Sequence, residues 1–350
     1  LHPDIVTAAS LSTPALYPFA FDPAGQRVQF MPMDEAAYQA ASFMDERLLD
    51  SAAPGGWVTW NEVRVASQGL AAECDFIFHI GHVGSTLLSR LLGQDPAIFS
   101  LREPSVLRTL AQTELDPAQA DHIPEWAGVF LALWARTWRP GQRTLLKATS
   151  FTAELAPLLM RLNPSSRAIL MLASPSAYLA GLLASDGTRQ ETRIAADLRL
   201  ARLHRRLGRG VWRRDLLGEG ELAAMSWLCE ITSLADTARA APERVMWLNF
   251  ETLLAHPADR LTVCLQRLRP GAADIEALAE AMAGSPEMGR YSKAPEFAYD
   301  ADLRRRVLAQ SAQENAEEIA RGIAWLNSAG AEHPKLANAM RLAGAAARGG

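Results

Sequence analysis

The stretch Phe76-Ile77-Phe78-His79-Ile80-Gly81-His82-Val83-Gly84-Ser85-Thr86-Leu87-Leu88-Ser89-Arg90-Leu91-Leu92 decides the fold. An apolar run feeds a turn with two glycines, then Ser85-Thr86, then leucines at helical spacing. That is the order strand, phosphate-cradling loop, helix. Glycines let the backbone turn tightly and bring its N–H groups close to an anion. Ser85 and Thr86 are placed to cap the helix, whose free N–H groups and positive dipole end favour phosphate or sulfate. A Walker loop carries Lys before its Ser/Thr, and here Gly84 stands there. Gly81, His82, Val83, Gly84, Ser85 and Thr86 therefore read as an anion cradle, but not as an ordinary ATPase or GTPase site. A tight turn without a ligand is the alternative.

Outward from the loop, alternation becomes regular after residue 75. Strands are expected at 75–80, 97–100, 143–147, 167–172 and 244–249. Helices are expected at 85–93, 104–112, 124–137, 152–162, 175–184, 192–208 and 220–240. Short apolar strands separated by helices predict an α/β fold, a P-loop-type parallel sheet with helices on both faces. Residues 1–70 break the pattern: Pro14, Pro18, Pro23 and Pro32 punctuate extended pieces such as Arg27-Val28-Gln29-Phe30. Asp34 opens an amphipathic helix running to about residue 49, and Trp57–Trp60 reads as a short strand. Residues 259–284 read as two helices, 300–328 as one long helix, and the Ala/Gly-rich tail after Lys335 as frayed. The expected organisation is an irregular N-terminal extension (1–70), the α/β domain (71–300) and a C-terminal helix with a flexible tail (301–350).

With 350 residues, 49% of them hydrophobic, the chain has ample material for a core. A net charge of −4 argues against a nucleic-acid partner. Cys74, Cys229 and Cys264 are odd in number and far apart, as expected of reduced, buried thiols in a cytoplasmic protein. Neither a signal peptide nor a membrane span is expected.

Two charged residues close strands next to the loop. Glu103 ends the second strand, and Pro104 biases it to an extended backbone. At the carboxyl end of a parallel strand it projects into the ligand crevice, placed as a general base. Pairing with Arg102 or Arg108 on the surface is the alternative. Lys147 ends the third strand, where a lone buried lysine is costly unless it meets an anion. It can supply the cation that the loop lacks and stabilise a leaving phosphate. Its alternative is a snorkelling surface lysine.

These elements together resemble the sulfotransferases that use 3′-phosphoadenosine 5′-phosphosulfate (PAPS), in particular the bacterial and tyrosylprotein-type members. His82-Val83-Gly84-Ser85-Thr86-Leu87-Leu88 resembles the family's loop for the 5′-phosphosulfate. Pro96-Ala97-Ile98 with Glu103 resembles the segment that carries the base in the tyrosylprotein branch. The run from Leu162 to Pro175 resembles the strand ending in Arg-Asp-Pro, and Phe250-Glu251-Thr252-Leu253 resembles Tyr-Glu-Asp-Leu. The ordered set spans about residues 75–265.

The resemblance implies PAPS as donor and no metal. It implies a hydroxyl acceptor on a small molecule, glycan or peptide, with Glu103, Lys147 and His82 at the reacting centre. This chain departs from the family in three places. Ala173 stands where an Arg contacts the 3′-phosphate, and Gly181 where a Ser is usual. Ser174 and Ser176 can donate hydrogen bonds there but bring no cation. Arg290, Ser292 and Lys293, in a Gly/Pro-rich loop, are candidates for that charge; a solvated basic turn is their alternative. His82 stands where Arg or Lys is usual, so its charge depends on pH near neutrality.

Residues 189–214 carry nine arginines and His204, with leucines at helical spacing. Their basic face can bind an anionic substrate or the donor's phosphates; a solvated face paired with carboxylates is the alternative. Trp212 and Trp227 are candidates for the border of an acceptor pocket. Two other functions stay open: an ATP- or GTP-dependent kinase, which lacks a Walker Lys and a Mg²⁺-binding Asp, and a non-catalytic anion-binding relative.

Overall fold

The structure, a computed structural model, describes residues 7–50, 55–292 and 296–349. The N-terminal part forms three antiparallel strands, β1 (Leu16–Asp22), β2 (Arg27–Pro32) and β3 (Trp57–Thr59), in the order β1-β2-β3. Next come β4 (Cys74–His79), β5 (Ile98–Arg102), β6 (Arg143–Lys147), β7 (Ala168–Leu172) and β8 (Val245–Asn249). They make one parallel sheet in the order β5-β6-β4-β7-β8. Every residue of β4, β5 and β7 is buried, as both faces of a parallel sheet must be when helices cover them. The predicted α/β class is therefore the observed one.

β1 is the strand the prolines hid. Pro18 sits at a register shift in the β1–β2 pairing, where a missing N–H does least harm. Phe21 packs with Trp60, Trp126 and Phe130, ring centroids 5.1 to 5.5 Å apart, which fixes the small sheet on helix Ile123–Trp134. Two buried arginines fasten the same region. Arg136 donates to the carbonyls of Leu133, Thr13 and Leu16, and Arg102 to those of Tyr38, Gln39 and Ala41. Burial pulls the Arg102 guanidinium down to about 9 and that of Arg136 to about 10.

Several expected elements differ. The helix begun by Asp34 stops at Ala40, because Arg102 takes the last carbonyls and a 3₁₀ turn, Glu46–Asp50, follows. The expected long helix at 300–328 is two, Ala301–Glu314 and Ala316–Glu332, divided at Asn315. The tail expected to fray is a helix, Pro334–Gly349. It buries Leu336, Ala339 and Ala343 against its neighbours and receives a hydrogen bond from Asn249 at the Ala347 carbonyl (3.0 Å). Small residues read as flexible are here the means of close packing.

Helix Glu219–Ala240 packs on β4 and β8 and is crossed by helix Ala316–Glu332. The crossing depends on two glycines: a Cβ on Gly220 would lie 1.8 Å from the Glu318 carbonyl oxygen, and one on Gly322 2.4 Å from that of Gly220. Backbone cannot yield there as a side chain can, so Gly220→Ala is expected to cost about 3 kcal/mol. A lowered urea midpoint at unchanged m-value is the expected readout.

Candidate active site

The loop after β4 runs Ile80-Gly81-His82-Val83-Gly84 into helix Ser85–Leu92. Gly81 (φ +87°), His82 (φ +54°) and Gly84 (φ +63°) all have left-handed backbones. Such turns gather successive N–H groups into an anion-binding concavity. His82 pays a strain that the two glycines avoid, which is common where a loop serves a ligand. Gly84, not Ser85, is the helix N-cap, and no side chain caps the first turn. The expectation that Ser85 and Thr86 cap the helix is thus corrected: they are its first two residues. Both are buried, and the Thr86 hydroxyl has no hydrogen-bond partner among the described residues.

The loop is braced from below by residues that carry no sequence signal. His79 accepts from the Gly81 N–H at Nδ1 (3.0 Å), so its Nε2–H donates to the Ala148 carbonyl (2.8 Å). Tyr178 donates to the Ile80 carbonyl (3.0 Å). The Phe250 ring lies so close to Gly84 that a Cβ there would come within 2.0 Å of it, and Ser150 stands beside Gly81. Arg304 places its guanidinium 4.5 Å over the Phe250 ring while bonding to Glu251 (2.8 Å).

Glu103, Lys147 and the loop end three neighbouring strands, β5, β6 and β4, in that lateral order. Strand spacing puts the ends of β5 and β4 about 10 Å apart. Lys147 is wholly buried and forms an ion pair with Glu103, which is also buried. Neither surface alternative therefore holds: Arg102 faces the carbonyls of residues 38–41, and the Arg108 guanidinium faces Asp45 and Glu46 at 3.8 Å. Glu103 is not extended, as Pro104 led us to expect. Its φ is +53°, held by an N–H bond to the Lys147 carbonyl (2.7 Å), and the tertiary contact overrides the local bias.

His82 approaches Glu191 on helix Asp186–Leu207 at 3.4 Å. Ser174 caps helix Pro175–Leu183 by accepting from Ala177 (3.3 Å), at the end of β7 on the other side of β4. Ser176 is exposed beside it. The carbonyl of Ala173 is taken by the Trp227 indole N–H (3.1 Å), so Trp227 is a brace within the core. Trp212 packs on Trp325 and His333.

Arg290 is exposed, and Ser292 accepts at its carbonyl from Arg90 (3.1 Å), toward the far end of the loop helix, and from Ser42 (3.3 Å). Lys293 lies outside the described residues. Tyr291 is held above its ordinary range by burial and by the Glu191 charge, the same carboxylate that meets His82.

The arginines of 189–214 are mostly paired. Arg199 meets Glu230 (3.1 Å), Arg205 meets Glu154 (2.9 Å) and Glu114 (3.4 Å), Arg206 meets Glu154, and Arg189 and Arg193 share Glu219. Among the described residues, buried Arg202 and exposed Arg209 have no ion-pair partner. All three cysteines are free and buried, and burial pushes Cys229 and Cys264 up to about 12. Among the described residues no helix is long and apolar enough to cross a membrane.

No family model matches the chain, and no curated protein does. Among solved structures it is similar to the sulfotransferase domain from the curacin biosynthetic pathway, at 14% identity and a TM-score of 0.40 over 70% of this chain and 97% of that one. It is also similar to the sulfotransferase domain of the Synechococcus PCC 7002 olefin synthase, at 16% identity and a TM-score of 0.39 over 69% and 94%. A third likeness is to a sulfotransferase from Alicyclobacillus acidocaldarius, at 15% identity and a TM-score of 0.36 over 73% and 99%.

Proposed function

We propose that this chain moves a sulfuryl group from PAPS to a hydroxyl acceptor. The observation that carries the reading is the buried Lys147–Glu103 pair at the strand ends beside an anion loop without a Walker lysine. The residues fit the 5′ end of such a donor. Three left-handed loop residues, an uncapped helix start and a Thr86 hydroxyl without a partner among the described residues suit an anion. At the 3′ end Ser174 and Ser176 offer hydroxyls, with Arg290, Ser292 and Lys293 as the further proposed contacts.

When bound, PAPS supplies an activated sulfuryl group on a phosphate leaving group. Loop N–H groups and Thr86 hold the 5′ oxygens, and His82 adds a donor at the rim. Lys147 stands between base and donor and offsets the charge that builds on the phosphate as its bond to sulfur breaks. Glu103 takes the proton of the acceptor hydroxyl as the new oxygen–sulfur bond forms. The acceptor is a small molecule, glycan or peptide.

Thr86→Val tests the donor assignment cleanly. Removing a buried hydroxyl without a partner among the described residues leaves stability equal or higher by about 1 kcal/mol. Affinity for adenosine 3′,5′-bisphosphate is expected to fall about tenfold, the worth of one hydrogen bond to a charged group. Unchanged affinity in a folded Thr86→Val protein would remove Thr86 from the site.

A further inference from the structure

Arg202 is wholly buried, and none of its Nε, Nη1 and Nη2 atoms has a hydrogen-bond partner among the described residues. The Nε of Arg108 is buried and unpartnered as well. Both guanidiniums stand 5.6 Å from one aromatic ring, that of Phe151. A buried guanidinium without hydrogen bonds costs several kcal/mol, and a neighbouring charge without contact does not repay it. The carboxylates around Arg202 are Glu114, Glu154 and Glu230, which feel its charge but spend their hydrogen bonds on Arg199, Arg205 and Arg206. Glu230 keeps one oxygen, Oε2, without a partner.

The position of this cluster gives it meaning. Phe151 follows Ser150, which stands beside Gly81 of the anion loop. Arg108 lies on helix Ser105–Thr113, which begins two residues after Glu103 and packs against the 150–155 turn. Phe151 and Arg108 are partly exposed, whereas Arg202 is not exposed at all. The partly exposed Phe151 ring and Arg108 thus stand beside buried Arg202, next in the chain to Ser150 at the loop and on the helix that follows Glu103.

We propose that Arg202, with Arg108 beside the same Phe151 ring, binds a carboxylate or phosphate group of the hydroxyl acceptor. The proposal rests on the sulfuryl-transfer reading for the word acceptor, but not for the anion site itself. A guanidinium presents a planar fork of donors that matches a carboxylate or phosphate edge in two parallel hydrogen bonds. The Phe151 face gives the apolar body of the ligand a flat surface. Movement of that one ring opens Arg202 to the ligand, and the oxyanion supplies the partners that the protein withholds.

Calorimetry with the full chain, titrated first with adenosine 3′,5′-bisphosphate, tests this with benzoate, its neutral counterpart benzamide, and phenyl phosphate. Benzoate or phenyl phosphate is expected to bind at least ten times more tightly than benzamide. Whichever binds more tightly tells carboxylate from phosphate. Arg202→Met is expected to bring the preference of the tighter anion over benzamide to about one. No preference for either anion over benzamide in the unaltered protein, or a preference unchanged by Arg202→Met, overturns the proposal.

Should Arg202→Met not fold, crystals of the unaltered protein soaked in 4-iodobenzoate decide: iodine beside Phe151 supports the site, and iodine elsewhere or nowhere overturns it. The first titration keeps the two readings apart. Absent bisphosphate binding with a persistent Arg202-dependent benzoate preference would sink sulfuryl transfer and leave the anion site standing.

Discussion

Glu103→Gln is expected to lower transfer from PAPS by a factor of about 10² to 10⁴, the usual worth of a general base. Glutamine keeps the shape of the side chain, so the change removes charge and basicity with little change of volume. It also strips the buried Lys147 of the carboxylate with which it pairs. Breaking a buried pair on one side costs roughly 3–5 kcal/mol, so a drop in activity could be mistaken for unfolding. The remedy is a second variant, Glu103→Gln with Lys147→Met, which removes both charges. Urea unfolding should show stability largely recovered in the double variant, while transfer stays at the background level. Full activity in folded Glu103→Gln protein would exclude Glu103 as the base.

Gly84→Ala is expected to abolish donor binding, weakening adenosine 3′,5′-bisphosphate at least a hundredfold. Two costs coincide at this position. The left-handed φ of +63° costs a residue with a Cβ about 1 kcal/mol. The Cβ would also lie 2.0 Å from Cε2 and 2.2 Å from Cζ of Phe250. That ring cannot simply swing away, because Arg304 covers it at 4.5 Å and is itself tied to Glu251. The loop must therefore move, and with it the N–H groups that would face the anion. Total destabilisation is expected near 3 kcal/mol. Adding Phe250→Ala to Gly84→Ala removes the clash but not the φ penalty. Binding should return in part in that double variant; if it does not, the clash is not the cause.

The sheet was readable because its strands are short apolar runs buried on both faces, bounded by glycines, prolines and charges. The loop was readable for the same reason that it works, since left-handed turns leave glycines behind. Glu103 and Lys147 were found by their place at strand ends, but their pairing was not, because lateral strand order is a tertiary fact. His79 and Tyr178 escaped notice: a buried histidine or tyrosine bracing a backbone turn has no local pattern. Arg202 was one of nine arginines in residues 189–214, six of them on helix Asp186–Leu207. Only the packing of helix Asp186–Leu207 against helix Glu219–Ala240 and the approach of Arg202 to the Phe151 ring separate it from its paired neighbours. β1 was hidden by Pro18, which a register shift accommodates. The tail was misjudged because alanine and glycine suit both a frayed end and a tightly packed helix.

Titration of adenosine 3′,5′-bisphosphate into the unaltered chain, set against ATP with Mg²⁺, bears most directly on the donor. Saturable one-site binding of the bisphosphate is predicted, with Kd at or below about 100 μM and ATP at least a hundredfold weaker. No bisphosphate binding at millimolar concentration, or tighter binding of Mg²⁺–ATP, would contradict a PAPS-type donor at the Gly81–Thr86 loop.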